Sequence, residues 1–390
     1  MKKAIILCLC FLIVLSVAGC DIQDYPYKAS FEEMGAPINK YYTIGSLESC
    51  AWDLEIFGDA LYVGSGDYDK NRGPVNIFKY DFLTHNWHSD GLLEDEQIER
   101  FYIFDNSLYA AGYDPKGSWE KGNFYLRDTL GWSTKGVLPG GIHNFDLVKF
   151  NGKLFAAMGV MGNDFPVAVS SDGESFTQVP LIKNGQPIKL ETANAHNRVY
   201  DFFTLNGKLY AYHRFNDGKT STFDIYLYDG EKFVYFSDLM GKMEIDRNTY
   251  SHINQKVEFG GKQFVAMGNF YVTEDMKTAQ KIELKPNMEV LDLRVIDNKL
   301  YVLCNEKIEK NGEEGFRVSV WFSTTGNIGS FRQMFFYNYP VRALSFTYGN
   351  GAFYFGMGYG IKAQKTYAQN GMVLKVEARD FRANAQKKKE

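Results

Sequence analysis

The sequence predicts an all-β chain, a seven-bladed β-propeller of four-stranded antiparallel blades. Three observations predict it. One short phrase recurs seven times, each copy carries hairpin-turn residues at its centre, and aromatic residues reach 16%, with 31 Phe and 26 Tyr. Such a composition favours strands over helices. No long stretch shows the 3.6-residue period of an amphipathic helix.

The phrase is an apolar residue, a turn of Gly, Asn or Asp, then Leu-Tyr or an equivalent and small residues. It reads Phe57-Gly-Asp-Ala-Leu-Tyr-Val-Gly64, Phe104-Asp-Asn-Ser-Leu-Tyr-Ala-Ala111, Phe150-Asn-Gly-Lys-Leu-Phe-Ala-Ala157 and Leu205-Asn-Gly-Lys-Leu-Tyr-Ala211. Further copies are Phe259-Gly-Gly-Lys-Gln-Phe-Val-Ala266, Ile296-Asp-Asn-Lys-Leu-Tyr-Val302 and Tyr348-Gly-Asn-Gly-Ala-Phe-Tyr-Phe-Gly356. Asn-Gly and Asp-Asn supply the positive φ that tight hairpins demand. The anchors Leu61, Leu108, Leu154, Leu209, Gln263, Leu300 and Phe353 recur at intervals of 37 to 55 residues, the range of propeller blades.

Each hairpin is followed by a third strand, such as Val75–Tyr80 or Val318–Trp321, and a fourth opened by an aromatic such as Trp87, Trp132 or Phe176. Those four strands, a to d, make one blade. The seventh lacks a clear fourth strand, and the segment near Tyr41 to Ile44 is expected to supply it and close the ring. Six or eight blades are the alternative counts. The phrase resembles kelch-type and sialidase-type propeller repeats. Ser170-Ser-Asp-Gly-Glu-Ser-Phe176 is similar to the Asp-box turn of sialidases but one residue short, and Ser323–Phe331 lacks the aspartate. That resemblance implies architecture, not activity.

The N-terminus carries an address. Lys2 and Lys3 precede an apolar run, Ala4 to Ala18, that is too short for a membrane span and suits the h-region of a signal peptide. It ends in Val17-Ala18-Gly19-Cys20, which resembles the lipobox of bacterial lipoproteins. The resemblance implies cleavage before Cys20 and diacylation of its thiol. The expected division is therefore signal peptide 1–19, lipidated tether 20–40, propeller 41–380 and basic tail 381–390. Localisation follows: the cell envelope, on the extracytoplasmic side, with the membrane as partner through the lipid. Asp21 resembles a retention signal of some enteric bacteria, a rule that does not transfer between lineages. In the mature chain only Cys50 and Cys304 could form a disulfide; they fall in blades 1 and 6, which favours separate thiols.

Strand alternation puts a–b and c–d turns on one face and b–c and d–a loops on the other. The long polar b–c loops (65–74, 113–122, 214–223, 306–315 and 360–370) mark the second as the binding face. Asp53, Asp146, Asp201 and Asp292 occupy one matching inner-strand position, held by Arg100 and Gln255 in blades 2 and 5. They read either as a carboxylate ring for a cation or polar ligand, or as residues that bond backbone at the strand's start. His143, His196 and His252 fall in consecutive d–a loops with Arg198 close by. Three imidazoles could bind a transition metal or serve as acid and base; alternatively they are solvated loop residues that never meet. Asp67, Asp69 and Asn71 alternate as in a calcium loop but lack its glycine and glutamate. Trp119 is the candidate for stacking on a sugar.

The formal charge of −4, with both signs interspersed, excludes a nucleic-acid stripe, and no phosphate loop, nucleophile elbow or zinc set is present. No cofactor is expected beyond a divalent cation at the carboxylates. Sialidase chemistry is disfavoured, because Arg100, Arg198, Arg294 and Arg342 sit at unequal registers and do not match that family's arginine triad. Two functions stay open. One is a monomeric binding or scaffold module for a glycan or protein; the other is an enzyme acting on extracellular polysaccharide or glycoconjugate.

Overall fold

The computed structural model describes residues 26–42, 49–67, 73–115, 121–139, 141–160, 165–188, 196–216, 221–244, 255–310, 313–359 and 367–377. The signal peptide, Cys20, Asp21 and the basic tail lie outside them. Within the described residues the chain is almost wholly β, with one short 3-10 turn at Pro37–Lys40 and one helical turn at Leu239–Lys242.

Six of the seven phrases place two consecutive residues at positive φ in the hairpin turn, from Asp105-Asn106 and Asn151-Gly152 to Asn350-Gly351; in the first, Gly58 does so. Around these turns the strands form antiparallel meanders, which we number as units 1 to 7. Their inner strands are Asp53–Phe57, Phe101–Phe104, Gly141–Phe150, His196–Leu205, Gln255–Phe259, Met288–Ile296 and Ala343–Gly349. Each pairs with the strand after its turn; a third and a fourth strand follow outward in units 1 to 6, and a third in unit 7. The result is a propeller-like arrangement of blades.

The Leu-Tyr of the phrase has a packing reason. Successive side chains on a strand point to opposite faces, and here both faces are covered. Leu61 and Val63 pack back against Tyr354 and Val373 of unit 7. Tyr62, between them, packs forward against Phe101 and Leu108 of unit 2. The same division holds for Leu154 and Phe155, Leu209 and Tyr210, and Leu300 and Tyr301. Among the described residues seven apolar clusters join consecutive units; one joins unit 7 to unit 1, and the one between units 4 and 5 also takes in Tyr113 and Phe145. Full burial of each such side chain is worth about 1.5–3 kcal/mol.

The c–d turns carry a second repeat, of which the Asp-box-like turn at Ser170–Phe176 is one copy. Asp81, Asp172, Asp229 and Asp275 each accept two backbone N–H groups from residues two and three positions on. In units 3 and 5, Ser170 and Thr273 add hydroxyl acceptors two residues earlier. Such Asx turns fix the corner locally.

Three expectations need correction. The strand that completes unit 7 is Glu32–Gly35, antiparallel to Val373–Glu377, rather than a segment near Tyr41 to Ile44. Tyr41 and Tyr42 follow the 3-10 turn, and residues 43 and 44 lie outside the described residues. The tether expected over 20–40 therefore contains sheet: Tyr27–Lys28 also adds in parallel to Arg332–Tyr339, the outer strand of unit 6. A short edge strand with two exposed glutamates shows no amphipathic alternation and so carries no pattern of its own. Third, 214–223 and 306–315 contain ladder extensions, with Arg214 opposite Phe223 and Lys307 opposite Phe316. In unit 5 the b–c connection is Gly268 alone. Cys50 and Cys304 are separate, buried thiols.

Candidate functional site

The inner strands converge on the four aspartates. In units 3, 4, 6 and 7 the pairing slips by one residue immediately before the ring position, at Phe145, Tyr200, Leu291 and Leu344. A bulge at that point re-aims the side chain that follows. Asp53, Asp146, Asp201 and Asp292 all end up 2% exposed or less.

Burial at that level demands partners, and the neighbouring unit supplies them. Asp53 Oδ2 accepts the Phe101 N–H of unit 2 at 2.8 Å. Asp146 Oδ2 accepts that of Phe202 in unit 4 at 2.7 Å, and Asp292 Oδ2 that of Phe346 in unit 7 at 2.8 Å. In each case the donor sits one residue past the ring position of the next unit. Asp53 and Asp292 also accept the N–H of the residue that follows them. The aspartates act as clasps between units and at their own strand starts.

Cations complete the ring. Arg100 Nη1 lies 2.7 Å from Asp201 and 3.7 Å from Asp146. Lys256 Nζ bridges the same two carboxylates at 2.6 and 2.9 Å, and Tyr102 donates its hydroxyl to Asp146. Opposite, Arg294 reaches across unit 7. It donates to the Phe346 carbonyl and lies 2.7 Å from both Asp53 and Glu55 of unit 1. Burial pushes the Asp53 carboxyl up to about 7, against the pull of Arg294 and the Phe101 N–H. Asp292 is pushed up to about 6 for the same reason. Sequence reasoning missed Lys256 and Glu55. The available signal was that Gln255 vacates the ring position, so an adjacent residue had to carry the charge.

A cavity of about 290 Å³ lies among the inner strands, lined by Arg100, Tyr102, Lys256, Glu258 and Arg294 with apolar walls such as Val148 and Val257. Its lining runs from the ring positions toward the a–b turns, the face opposite the expected binding loops.

On the loop face His143 and Arg198, from units 3 and 4, meet at the Phe145 ring. His143 is buried, with Nδ1 2.8 Å from Asp114 Oδ1. Its ring stacks on Phe145, and Gly159 opposite leaves room for it, since a Cβ there would meet the imidazole at 2.7 Å. His196 opens its inner strand, its backbone paired with Asn216. His252 lies outside the described residues, as do Trp119, Asp69 and Asn71. Arg198 lies over the Phe145 ring and donates to the Tyr200 hydroxyl. Asp67 is buried, its N–H bonded to the Glu96 carbonyl. Among the described residues no group of three His, Cys, Asp or Glu side chains could hold a metal ion.

Two groups on this face, Asp95 and His213, escaped the sequence, and a third, Arg342, entered only among the arginines at unequal registers. Asp95 is pushed up to about 7 by burial, although Tyr125 and Asn123 donate to it. His213 is buried and held down to about 3, with Nε2 2.6 Å from Asn197 Oδ1. Arg342 is sandwiched between Tyr359 and Phe316, 4.5 and 5.0 Å from the ring centres, and pairs with Glu289 at 3.1 Å. Half-buried Trp52 lies beside Tyr359. None of these positions repeats, so a search for periodicity passes over them.

No family model matches the chain, and no curated protein does. Among solved structures, a chain in the crystal structure of a mitotic checkpoint complex aligns with a TM-score of 0.47 at 8% identity, covering 88% of this chain and 98% of its own. A putative 6-phosphogluconolactonase from Bacteroides fragilis aligns with a TM-score of 0.44 at 10% identity, over 76% of this chain and 87% of its own. Likeness at this level carries no inference about activity.

Proposed function

We propose that this chain is a lipid-anchored, extracytoplasmic seven-bladed propeller that works as a binding or scaffold module. The blade count rests on the seven meanders and on the apolar cluster joining unit 7 to unit 1. The anchor rests on the resemblance of Val17–Cys20 to a lipobox. One observation carries the non-enzymatic reading. The aspartates that could have served as acid and base are spent on inter-unit clasps and ion pairs. Recognition then falls to the b–c and d–a face, where half-buried Trp52 and Tyr359 present an aromatic surface suited to a glycan or a protein loop.

The test is a panel of envelope and host polysaccharides presented to the purified lipidated chain, read for binding and for released sugar. Binding without release, lost in Trp52→Ala and Tyr359→Ala, is the expected result. Turnover that falls about 100-fold or more in His143→Ala would overturn the reading in favour of an enzyme.

A further inference from the structure

We infer that the face carrying the a–b and c–d turns lies against the membrane, with the turns of units 1, 2 and 6 in contact with the lipid surface. The inference rests on the lipid-anchor reading and deepens it.

Strand polarity is the first argument. The outer strand of unit 6, Arg332–Tyr339, begins at the c–d turn and runs toward the b–c face. Tyr27–Lys28 is parallel to it, with Tyr27 opposite Phe335 and Lys28 opposite Phe336. The N-terminal end of this strand therefore points toward the turn face. Phe335 lies four residues beyond the end of that turn at Phe331, a climb of about 13 Å at about 3.3 Å per residue. Seven steps from Cys20 to Tyr27 span at most about 24 Å. Only about 11 Å of reach remains beyond the turn face, so that edge cannot stand far from the bilayer.

The second argument is what the turns display. Leu130 is 97% exposed and Leu83 77%, the two most exposed large apolar side chains among the described residues, and Ile328 is 46% exposed. All three sit in c–d turns, of units 2, 1 and 6. The c–d turns of units 3, 4 and 5 instead expose Glu174, Glu231, Glu274 and Lys277. Ile103 and Val295, also exposed, flank the cavity on the same face. Single exposed leucines are ordinary. Three at turn tips on one face form a set that shallow insertion into a lipid interface would cover. The turn charges are mixed, with Asp59, Asp105, Asp128 and Asp297 against Lys299 and Arg332, so the contact is apolar rather than electrostatic.

The experiment uses the full lipidated chain in phosphatidylcholine–phosphatidylethanolamine vesicles. A fluorophore is placed singly through Leu83→Cys, Leu130→Cys or Ile328→Cys, and on the opposite face through Glu309→Cys. Cys50 and Cys304 are buried and do not compete. Bromolipid quenching about threefold or more stronger at 83, 130 and 328 than at 309, unchanged by added salt, is expected. A chain lacking the diacyl mass on Cys20 sinks the anchor reading, and this one with it. An anchored chain with quenching absent, uniform or strongest at 309 sinks the orientation alone.

Discussion

The inner ring is built twice from one plan, with different charge on its two sides. Across units 2 to 5, Arg100 and Lys256 face Asp146 and Asp201, two cations for two carboxylates. Across units 6, 7 and 1, Arg294 alone faces Asp53, Glu55 and Asp292. The backbone clasp is the same on both sides. Geometry therefore sets the aspartate's position, and the charge around it is a separate choice. On the balanced side each carboxylate has a replacement partner; on the other, one guanidinium holds together the blades that flank the closure. The imbalance is where burial lifts Asp53 and Asp292 toward neutrality.

The largest effect that would break this comparison is loss of the single guanidinium. Arg294→Met leaves three buried or half-buried carboxylates without a cation and should destabilise the fold by about 3–5 kcal/mol, as removal of one partner from a buried pair does. Lys256→Met should cost less, about 1–3 kcal/mol, because Arg100 still faces both aspartates. Urea unfolding at pH 8 measures both. Equal losses would show that the two sides do not differ in the way their charges imply. At pH 5 the Arg294→Met deficit should shrink, because Asp53 and Asp292 then carry protons.

The unaltered chain gives the next test. A carboxyl whose folded pKa is raised stabilises most below its unfolded value near 4 and loses that contribution as pH rises through the folded value. Asp53 and Asp95, at about 7, and Asp292, at about 6, all act in this direction between pH 4 and 7. His213, held down to about 3, opposes them, since its contribution fades as pH falls below about 6.5. Exposed turn aspartates such as Asp172, pulled down to about 2 by backbone N–H groups, lose theirs only below pH 4. Three carboxyls against one imidazole put the stability maximum near pH 4, where the turn aspartates begin to lose their contribution. The melting temperature there should exceed that at pH 8 by at least about 2 °C. A maximum at pH 8 would mean that Arg294 outweighs the desolvation of its partners.

The parts legible in the sequence were those that repeat. Asn151-Gly152 and Asp297-Asn298 announce hairpins because few residues tolerate positive φ in succession. Leu300-Tyr301 announces a blade because its two side chains serve two interfaces. The register of Asp53, Asp146, Asp201 and Asp292 was legible for the same reason. Their partners were not: Arg294 and Lys256 sit two and one residues past the ring position, and reach side chains 241 and 110 residues away in the chain. Spacing within one blade cannot reveal a bond that skips a blade. Glu32–Gly35 was hidden because its place is set by the edge of Val373–Glu377 rather than by its own pattern.

The smallest effect discriminates the two sides at the aspartates themselves. In either Asp53→Asn or Asp146→Asn one accepting oxygen becomes a donor, so each variant weakens a clasp by about 1–3 kcal/mol. They differ in the charge left behind. Without the Asp53 carboxylate, Arg294 still faces Glu55 and Asp292, and the excess of negative charge falls. Without that of Asp146, Arg100 and Lys256 share Asp201 alone, and Tyr102 loses its acceptor. At pH 8, therefore, Asp146→Asn should be the less stable by about 1 kcal/mol, and combining Asp53→Asn with Arg294→Met should cost less than the two alone would sum to. A double-mutant cycle by urea unfolding reads the coupling directly. A coupling near zero would mean that Arg294 stabilises this side through its bonds to the Leu54 and Phe346 carbonyls rather than through charge.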